Sequence, residues 1–514
     1  MVHVASRLAG ERPDEIALRD GAVAFTWAEV NDALNRVANR LRALDLGPDH
    51  RVAVLAHNST ETLLAHLGAL FAGASSVPVN FHLNAEEVAY ILGDSGARVL
   101  FVGPETAATG IEAAAEAGVP LVIGWRCPSS PAVTAWDDWL RDADAGEVTS
   151  DVTPRPNLMY TSGTTGRPKG VELPPTMFAG GATMVEHVAA LAQQGLAQYG
   201  THLVVGPMYH TGPLSGVRLL ATGIPVVILE RFDAENVLRA VETYRTESTV
   251  MVPTHFVRLL ALPEEVRGRY DVSSMRFVAH TGAACPIDVK RRMIEWWGPI
   301  FQDSYGATEV GTTCTISSEE WLEHLGSVGR AIPPFTALVV DDDGNELPAN
   351  TEGRLFFEDA TGRGVVYPSD PEKTAQAHLR PGVFTLGEIG YMDDDGYVYI
   401  TDRFSDMIVS GGVNIYPAEA EQVLIDHPQV ADVAVIGVPH QEMGEEVKAL
   451  VVPADPSDPP DPAALVAWCR ERLASYKCPR SVAVVDDIGR TTMGKLNKRA
   501  LRAPYWQGAR TIGG

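Results

Sequence analysis

Cysteine is scarce and unpatterned in this 514-residue chain. Its five cysteines, Cys127, Cys285, Cys314, Cys469 and Cys478, form no CxxC pair and no cluster with histidine. That argues against a structural zinc site and fits a reducing compartment. Basic residues are also short, with 41 Lys and Arg against 66 Asp and Glu and a formal net charge of −25. Such a chain lacks the cationic footprint that nonspecific nucleic-acid binding requires, so no nucleic-acid partner is expected. Long apolar runs are missing too. The N-terminus, Met-Val-His-Val-Ala-Ser-Arg, has no signal-peptide core, which makes a cytoplasmic location the expectation. The most apolar early stretch, 63–79, contains His66, Ser75, Ser76 and Pro78. It reads as a buried helix leading into a strand, so no membrane span is expected. Internal repeats are absent, and the one low-complexity patch is 453–462.

What is present begins with size. A chain of 514 residues that is 45% apolar exceeds one simple core, so two or more domains are expected. Thr26-Trp27-Ala28-Glu29 is a capping box, and Val30, Leu34, Val37, Leu41 and Leu44 follow it at helical spacing. Short apolar strands at 51–55, 76–79 and 99–102 alternate with helices from about residue 59 and over 85–92. That alternation predicts a parallel α/β sheet.

A strand over 158–161 runs into Tyr-Thr-Ser-Gly-Thr-Thr-Gly-Arg-Pro-Lys-Gly, residues 160–170. Glycines let backbone approach a ligand closely, and successive free N–H groups form a concave anion site. Hydroxyls from Thr161, Ser162, Thr164 and Thr165 add donors around Gly163, and Lys169 adds a point charge suited to phosphate. The loop is not a Walker loop. Counted from Gly163, the fifth position is Pro168, where that motif needs glycine before its lysine. Ligands of parallel sheets bind outside the carboxyl ends of strands, where this loop is expected.

Further strings follow. Residues 203–210 read as a strand ending at His210, and a lone histidine at a strand end is usually structural. Strand 276–281 leads to Gly282-Ala283-Ala284, small enough for a flat ring to lie against backbone. In Asp303-Ser304-Tyr305-Gly306-Ala307-Thr308-Glu309, Tyr305 offers a ring face, Thr308 a phosphoryl donor and Glu309 a hard oxygen ligand for Mg²⁺. Asp393-Asp394-Asp395-Gly396 reads as a hairpin turn. The glycines in Ser410-Gly411-Gly412-Val413 fit close passage of a slender ligand, and a basic patch spans Arg490 to Arg499.

Taken in order, these strings resemble the signature motifs of the adenylate-forming enzymes: acyl-CoA synthetases, peptide-synthetase adenylation domains and luciferases. The resemblance covers nearly the whole chain. It implies an α/β fold with a large N-terminal domain of parallel and mixed sheets with helices over 1–402, a hinge at 403–406 and a small mobile α+β C-terminal domain over 407–514. It implies ATP/AMP, Mg²⁺ and coenzyme A as ligands and a small carboxylic acid, or its acyl-adenylate, as partner. Under it the 161–169 loop cradles phosphate, residues 282–284 line the adenine and acyl sites, and residues 303–307 bind the nucleotide. Glu388 and Arg403 hold the nucleotide, and His210 borders the acyl pocket. Gly411 and Gly412 pass the pantetheine arm, and Lys495 is the mobile catalytic lysine.

Departures stand at Leu386-Gly387-Glu388, where relatives carry Thr-Gly-Asp, and at Phe404 and Ser405 in the hinge. They keep a second reading open, a CoA-transferring enzyme that accepts preformed acyl-AMP. A third is acyl loading of a carrier protein. The acid and the oligomeric state, a homodimer included, are not legible.

Overall fold

The computed structural model describes residues 4–148, 151–161, 168–367, 371–403, 407–489 and 496–506. Two sheets of largely parallel strands form the bulk of the molecule. One has nine strands in the order Arg330–Ala331, Gly311–Ser317, Phe301–Ala307, Phe277–His280, Ser248–Met251, His202–Val204, Val226–Ile228, Ile16–Arg19 and Ala24–Thr26. Its interior pairs are parallel, and its edges are antiparallel. The other, of five parallel strands, is built around Arg51–Leu55 and Val99–Val102.

Helix Thr60–Phe71 is the core piece. All twelve of its residues are buried, and Ser59 caps it by accepting from the Thr62 N–H. From Leu63 onward it is apolar but for His66, and it runs on into strand Ser75–Val79 as the apolar stretch 63–79 predicts. Among the described residues, no helix is long and apolar enough to cross a membrane. The capping box at Thr26 and Glu29 forms as expected, and Val30, Leu34, Val37 and Leu41 are buried, but the helix ends at Arg42 and Leu44, expected on the same face, lies past it and is exposed.

Two smaller sheets complete the chain. One joins strands between Phe335 and Arg403, including the hairpin Glu388–Met392 with Val398–Arg403 around the Asp393–Gly396 turn. The other, around the long pair Val430–His440 and Gly444–Pro453, forms the small C-terminal lobe with helices Pro417–Ile425 and Pro462–Arg470.

Two expectations need correction. Strand Leu158–Thr161 does not join a parallel sheet; it pairs antiparallel with Lys169–Glu172 as a separate two-stranded hairpin. The phosphate-loop string is the connection of that hairpin, so its ends are tied by backbone pairing and not by a helix. The strand expected over 203–210 is only His202–Val204. Pro207 has no N–H for a ladder, and the chain turns there, with the His210 N–H donating to the Pro207 carbonyl at 3.1 Å.

Candidate active site

Strands Ser248–Met251, Phe277–His280 and Phe301–Ala307 lie side by side, with Met251 beside His280 and His280 beside Asp303. Their carboxyl ends therefore open at one level, where ligands of such sheets bind. The Thr281 hydroxyl donates to the Ser304 carbonyl at 2.7 Å, fastening the 282–284 loop to the 303–307 strand. Gly282 and Ala284 are exposed, and Ala283 is half-buried.

Tyr305 and Glu388 come together from different sheets. The Tyr305 hydroxyl donates to Glu388 Oε2 at 2.8 Å, and Glu388 is 8% exposed. In the hairpin ladder Glu388 stands opposite Arg403, so the residues expected to hold the nucleotide share one edge. A Cβ on Gly306 would overlap the Gly311 carbonyl oxygen, so glycine is required where the strand turns back. Thr308 is half-buried, and Glu309 is buried at 7% exposure with its carbonyl accepting from Arg363 Nη1 at 3.2 Å. Glu309 brings a single carboxylate, which suits Mg²⁺ when substrate phosphates complete the shell. The one group of three adjacent ligating side chains among the described residues is elsewhere, His57, Glu105 and Glu230.

Beneath the strand ends lies a charged pair that the sequence does not advertise. Lys290, fully buried on helix Ile287–Trp297, reaches Asp303 Oδ2 at 3.3 Å and lies 4.6 Å from the Trp321 ring centre. His280 Nδ1 is 3.5 Å from the other Asp303 oxygen. Burial holds His280 down to about 4, against the pull of Asp303. Asp303 is thus gripped from below by a lysine thirteen positions earlier, a spacing with no motif.

The small lobe supplies the opposite wall. Gly411 and Gly412 form the two-residue turn between strands Ile408–Ser410 and Val413–Ile415, with φ of +59° and +83°. Glycine adopts both values at low cost, and other residues do not. A Cβ on Gly412 would sit 3.0 Å from Val252 Cγ1, and one on Gly282 would sit 3.6 Å from the Gly412 carbonyl oxygen. The glycine turn therefore inserts between the loops that follow strands Ser248–Met251 and Phe277–His280. Arg258 and Glu442 pair at 2.7 Å across the same junction.

His210 immediately precedes helix Thr211–Val217, without a side-chain capping bond, and joins a file of rings. Tyr209 and His210 lie 4.4 Å apart, Phe81 and Tyr209 5.0 Å, and His82 lies 6.4 Å from Tyr476 of the small lobe. Burial, reinforced by His82, holds His210 down to about 4, so the imidazole is neutral at pH 7. Phe81, His82 and Tyr476 carry no signal in the sequence, because only the fold brings positions so far apart together.

Lys169 stands opposite Thr161 in the two-stranded hairpin, half-buried. The Tyr160 hydroxyl donates to Asp94 Oδ2 at 2.6 Å, and Tyr90 donates to the Pro168 carbonyl at 3.2 Å, so both flanks of the loop are anchored. Ser162, Gly163, Thr164, Thr165, Phe404 and Ser405 of the expected hinge, and Lys495 lie outside the described residues, as do the side chains of Thr161 and Arg403.

Residues 6–363 match the AMP-binding enzyme family, and residues 419–495 match the AMP-binding enzyme C-terminal domain. The chain belongs to this family of adenylate-forming enzymes, in its acyl-CoA ligase branch, and is an ATP-dependent, AMP-forming ligase. It is 38% identical over 510 residues to a feruloyl-CoA synthase of an Amycolatopsis species, covering 97% of this chain and 98% of that protein. It is 34% identical over 497 residues to the long-chain-fatty-acid–CoA ligase FadD13 of Mycobacterium tuberculosis, covering 94% and 93%. Among solved structures, the amide bond synthetase McbA of Marinactinospora thermotolerans superposes with a TM-score of 0.82 at 28% identity, over 98% and 99% of the chains. A double mutant of the o-succinylbenzoate-CoA synthetase of Bacillus subtilis, bound to its product analogue OSB-NCoA, gives 0.78 at 28% identity, over 97% and 98%. The same enzyme with its acyl-adenylate gives 0.62 at 28% identity, over 97% of each chain.

Proposed function

We propose that this ligase makes an acyl-CoA thioester in two half-reactions, and that the lobe arrangement seen in the structure is the one used for the second. The observation that carries the reading is the Gly411–Gly412 turn inserted against Val252 and Gly282. The superposition agrees with it: the B. subtilis enzyme fits better with its CoA-product analogue, at 0.78, than with its adenylate, at 0.62.

In the first half-reaction a substrate carboxylate oxygen attacks the α-phosphorus of ATP. The bond to the β-phosphate oxygen breaks, and pyrophosphate leaves. Lys169 and the hydroxyl loop stabilise the charge that redistributes, with Lys495 brought in by the small lobe. Mg²⁺ held at Glu309 supplies neutralisation of phosphate charge. Glu388 and Arg403 hold the nucleotide, and Tyr305 is oriented by its hydrogen bond to Glu388. The small lobe then turns about 403–406, withdraws Lys495 and presents the glycine turn. The CoA thiol sulfur attacks the acyl carbon, the bond to AMP breaks, and the thiol proton leaves with AMP or water. Neutral His210 at the pocket rim orients the acyl group without adding charge. AMP is a good leaving group, so this step needs positioning more than a strong base.

The acid proposed is one carrying a ring on a short arm. The Phe81, Tyr209 and His210 rings offer it faces, and the feruloyl-CoA synthase relative points the same way.

A pyrophosphate-release screen over ring-bearing, medium-chain and long-chain acids, repeated with CoA and mass spectrometry, tests this reading. Pyrophosphate release with a ring-bearing free acid and a matching CoA thioester is expected. Thioester only from supplied acyl-AMP would install the partial enzyme instead. Loading of a phosphopantetheinylated carrier, or amide formation with an amine, in place of CoA transfer would overturn it.

A further inference from the structure

Arg218 follows helix Thr211–Val217, eight positions after His210, and is buried at 6% exposure. Among the described residues, its Nε and Nη1 have no hydrogen-bond partner. Its nearest compensation is the face of Phe178, 5.8 Å from the guanidinium carbon. Burial pulls its pKa down to about 10, with no carboxylate acting the other way. A guanidinium does not give up its proton in a protein. An unpaired charge in such a place is expensive, and buried charges are as a rule paired.

Among the described residues, the surroundings offer no counter-charge. Arg218 lines a narrow cavity with His66, Leu67, Leu70, Asn157, Leu214 and Val217, roomy enough for about one water-sized occupant. His66 is neutral, held down to about 3 by burial, and its Nδ1 shares a hydrogen with Ser76 Oγ at 2.9 Å. Asn157 Nδ2 donates to the same oxygen. The neighbouring His187 donates from Nδ1 to the Gly180 carbonyl at 2.7 Å, and its buried Nε2 has no partner among the described residues. Burial holds His187 to about 4, and the Arg218 charge adds to the effect. The cavity thus has one permanent cation, neutral polar neighbours, apolar walls and space for a single heavy atom.

We propose that Arg218 anchors a buried anion-binding subsite that takes one negatively charged atom, either a free halide ion or the terminal anionic oxygen of the acid substrate. The first source is independent of the acyl-CoA ligase reading; the second rests on it. Because the helix from His210 to Val217 ends at Arg218, an anion there fastens the far end of the helix whose near end borders the acyl pocket.

The full-length protein, free of ATP and CoA, is melted in sodium chloride, sodium bromide and sodium gluconate at equal ionic strength. With a free halide as occupant, the midpoint rises by about 1–2 °C per tenfold halide and not with gluconate. Crystals grown in bromide then show an anomalous peak at Arg218, and Arg218→Met removes the halide dependence. With the substrate as source, halide has no effect. Acids ending in a carboxylate or phenolate then show a KM at least tenfold below their neutral isosteres, in pyrophosphate release by the wild-type enzyme. Arg218→Met abolishes that preference while neutral acids are still turned over. A wild-type protein with neither halide dependence nor preference for distal anionic groups overturns the proposal, whether or not the variant folds. A protein that shows halide dependence but no ligase activity with any acid would keep the subsite and sink the ligase reading.

Discussion

Lys477 Nζ of the small lobe donates to Glu87 Oε1 of the large lobe at 2.8 Å and to Glu419 Oε2 of its own lobe at 2.6 Å. Lys477 and Glu419 are 2% and 4% exposed. Burial opposes the ammonium charge, but Tyr476, Glu419 and Glu87 outweigh it and strengthen its hold on the proton. Burial also favours protonated Glu419, against the pull of Lys477. The two short contacts to one ammonium support an ionised pair at neutral pH. Glu87 also serves its own helix, where its Oε2 accepts from the Asn84 N–H and closes the capping box of Ala85–Ser95. Gln at that position keeps the cap and removes the charge. Glu87→Gln is expected to slow thioester formation from acyl-AMP roughly fivefold, the effect of about 1 kcal/mol on the lobe equilibrium. Pyrophosphate release should stay within about twofold. Equal slowing of both half-reactions would contradict a role confined to this arrangement.

Gly412 gives a sharper probe of the same junction. An alanine there adds a Cβ 3.0 Å from Val252 Cγ1, at a φ of +83° that alanine resists. Gly412→Ala should depress CoA transfer by roughly tenfold or more while sparing adenylation, since strain and contact together cost on the order of 1–3 kcal/mol. Trimming the neighbour with Val252→Ala should recover part of the loss. A double variant no better than the single one would mean that turn strain, and not lobe contact, limits the step. Single-turnover thioester formation from purified acyl-AMP is the measurement.

The Tyr305–Glu388 hydrogen bond makes the nucleotide site testable without chemistry. Glu388→Asp withdraws the carboxylate by one methylene from its 2.8 Å contact. Tyr305→Phe leaves a buried carboxylate short of a donor, at about 1–3 kcal/mol. Both variants should change the calorimetric Kd for ATP and AMP by similar factors, because the two ligands share the ribose. An unchanged Kd for both would remove Glu388 from the ribose site.

Much of this was legible because the motifs are contiguous. The strand–helix alternation up to residue 102, the capping box at Thr26 and the hairpin around Asp393–Gly396 follow from local patterns, and the structure contains them. The expected strand over 203–210 stops at Val204, since Pro207 cannot continue a ladder. The hairpin carrying the phosphate-loop string escapes sequence reasoning for a different reason. A four-residue apolar strand looks the same whether its partner is parallel or antiparallel, and register is set by tertiary packing. Lys290 under Asp303, Lys477 against Glu87 and the unpaired Arg218 have no sequence signature at all. Each is an ordinary charged residue on an amphipathic segment until the fold buries it.

Buried histidines predict an acid-sensitive fold. His66, His202 and His280 are 4%, 1% and 0% exposed, and burial holds them down to about 3, 4 and 4. Unfolded, each titrates near about 6.5. Between these values the unfolded chain binds more protons than the folded one, so stability falls as pH drops. The slope reaches about 1.4 kcal/mol per pH unit for each histidine, beginning near pH 6.5 and ending as the folded values are passed. Urea midpoints should therefore decline from pH 7 to 5, and His66→Gln, which retains a partner for Ser76, should flatten the decline. Midpoints level across that range would contradict the assignment of neutral, buried imidazoles.

Lys495 tests the alternation of the lobes directly. If it enters the site only while the acyl-adenylate is made, Lys495→Ala removes a cation from a charge-separating step and leaves the later step intact. Loss of one such transition-state contact is worth roughly 3–4 kcal/mol, a factor of about 10² to 10³. Pyrophosphate release should fall by that factor, while thioester formation from supplied acyl-AMP falls less than about threefold. The Gly412→Ala variant predicts the inverse pattern, so the pair forms a double dissociation. Comparable losses in both half-reactions for Lys495→Ala would place the lysine in the site throughout the cycle, and the lobe exchange would have to be abandoned.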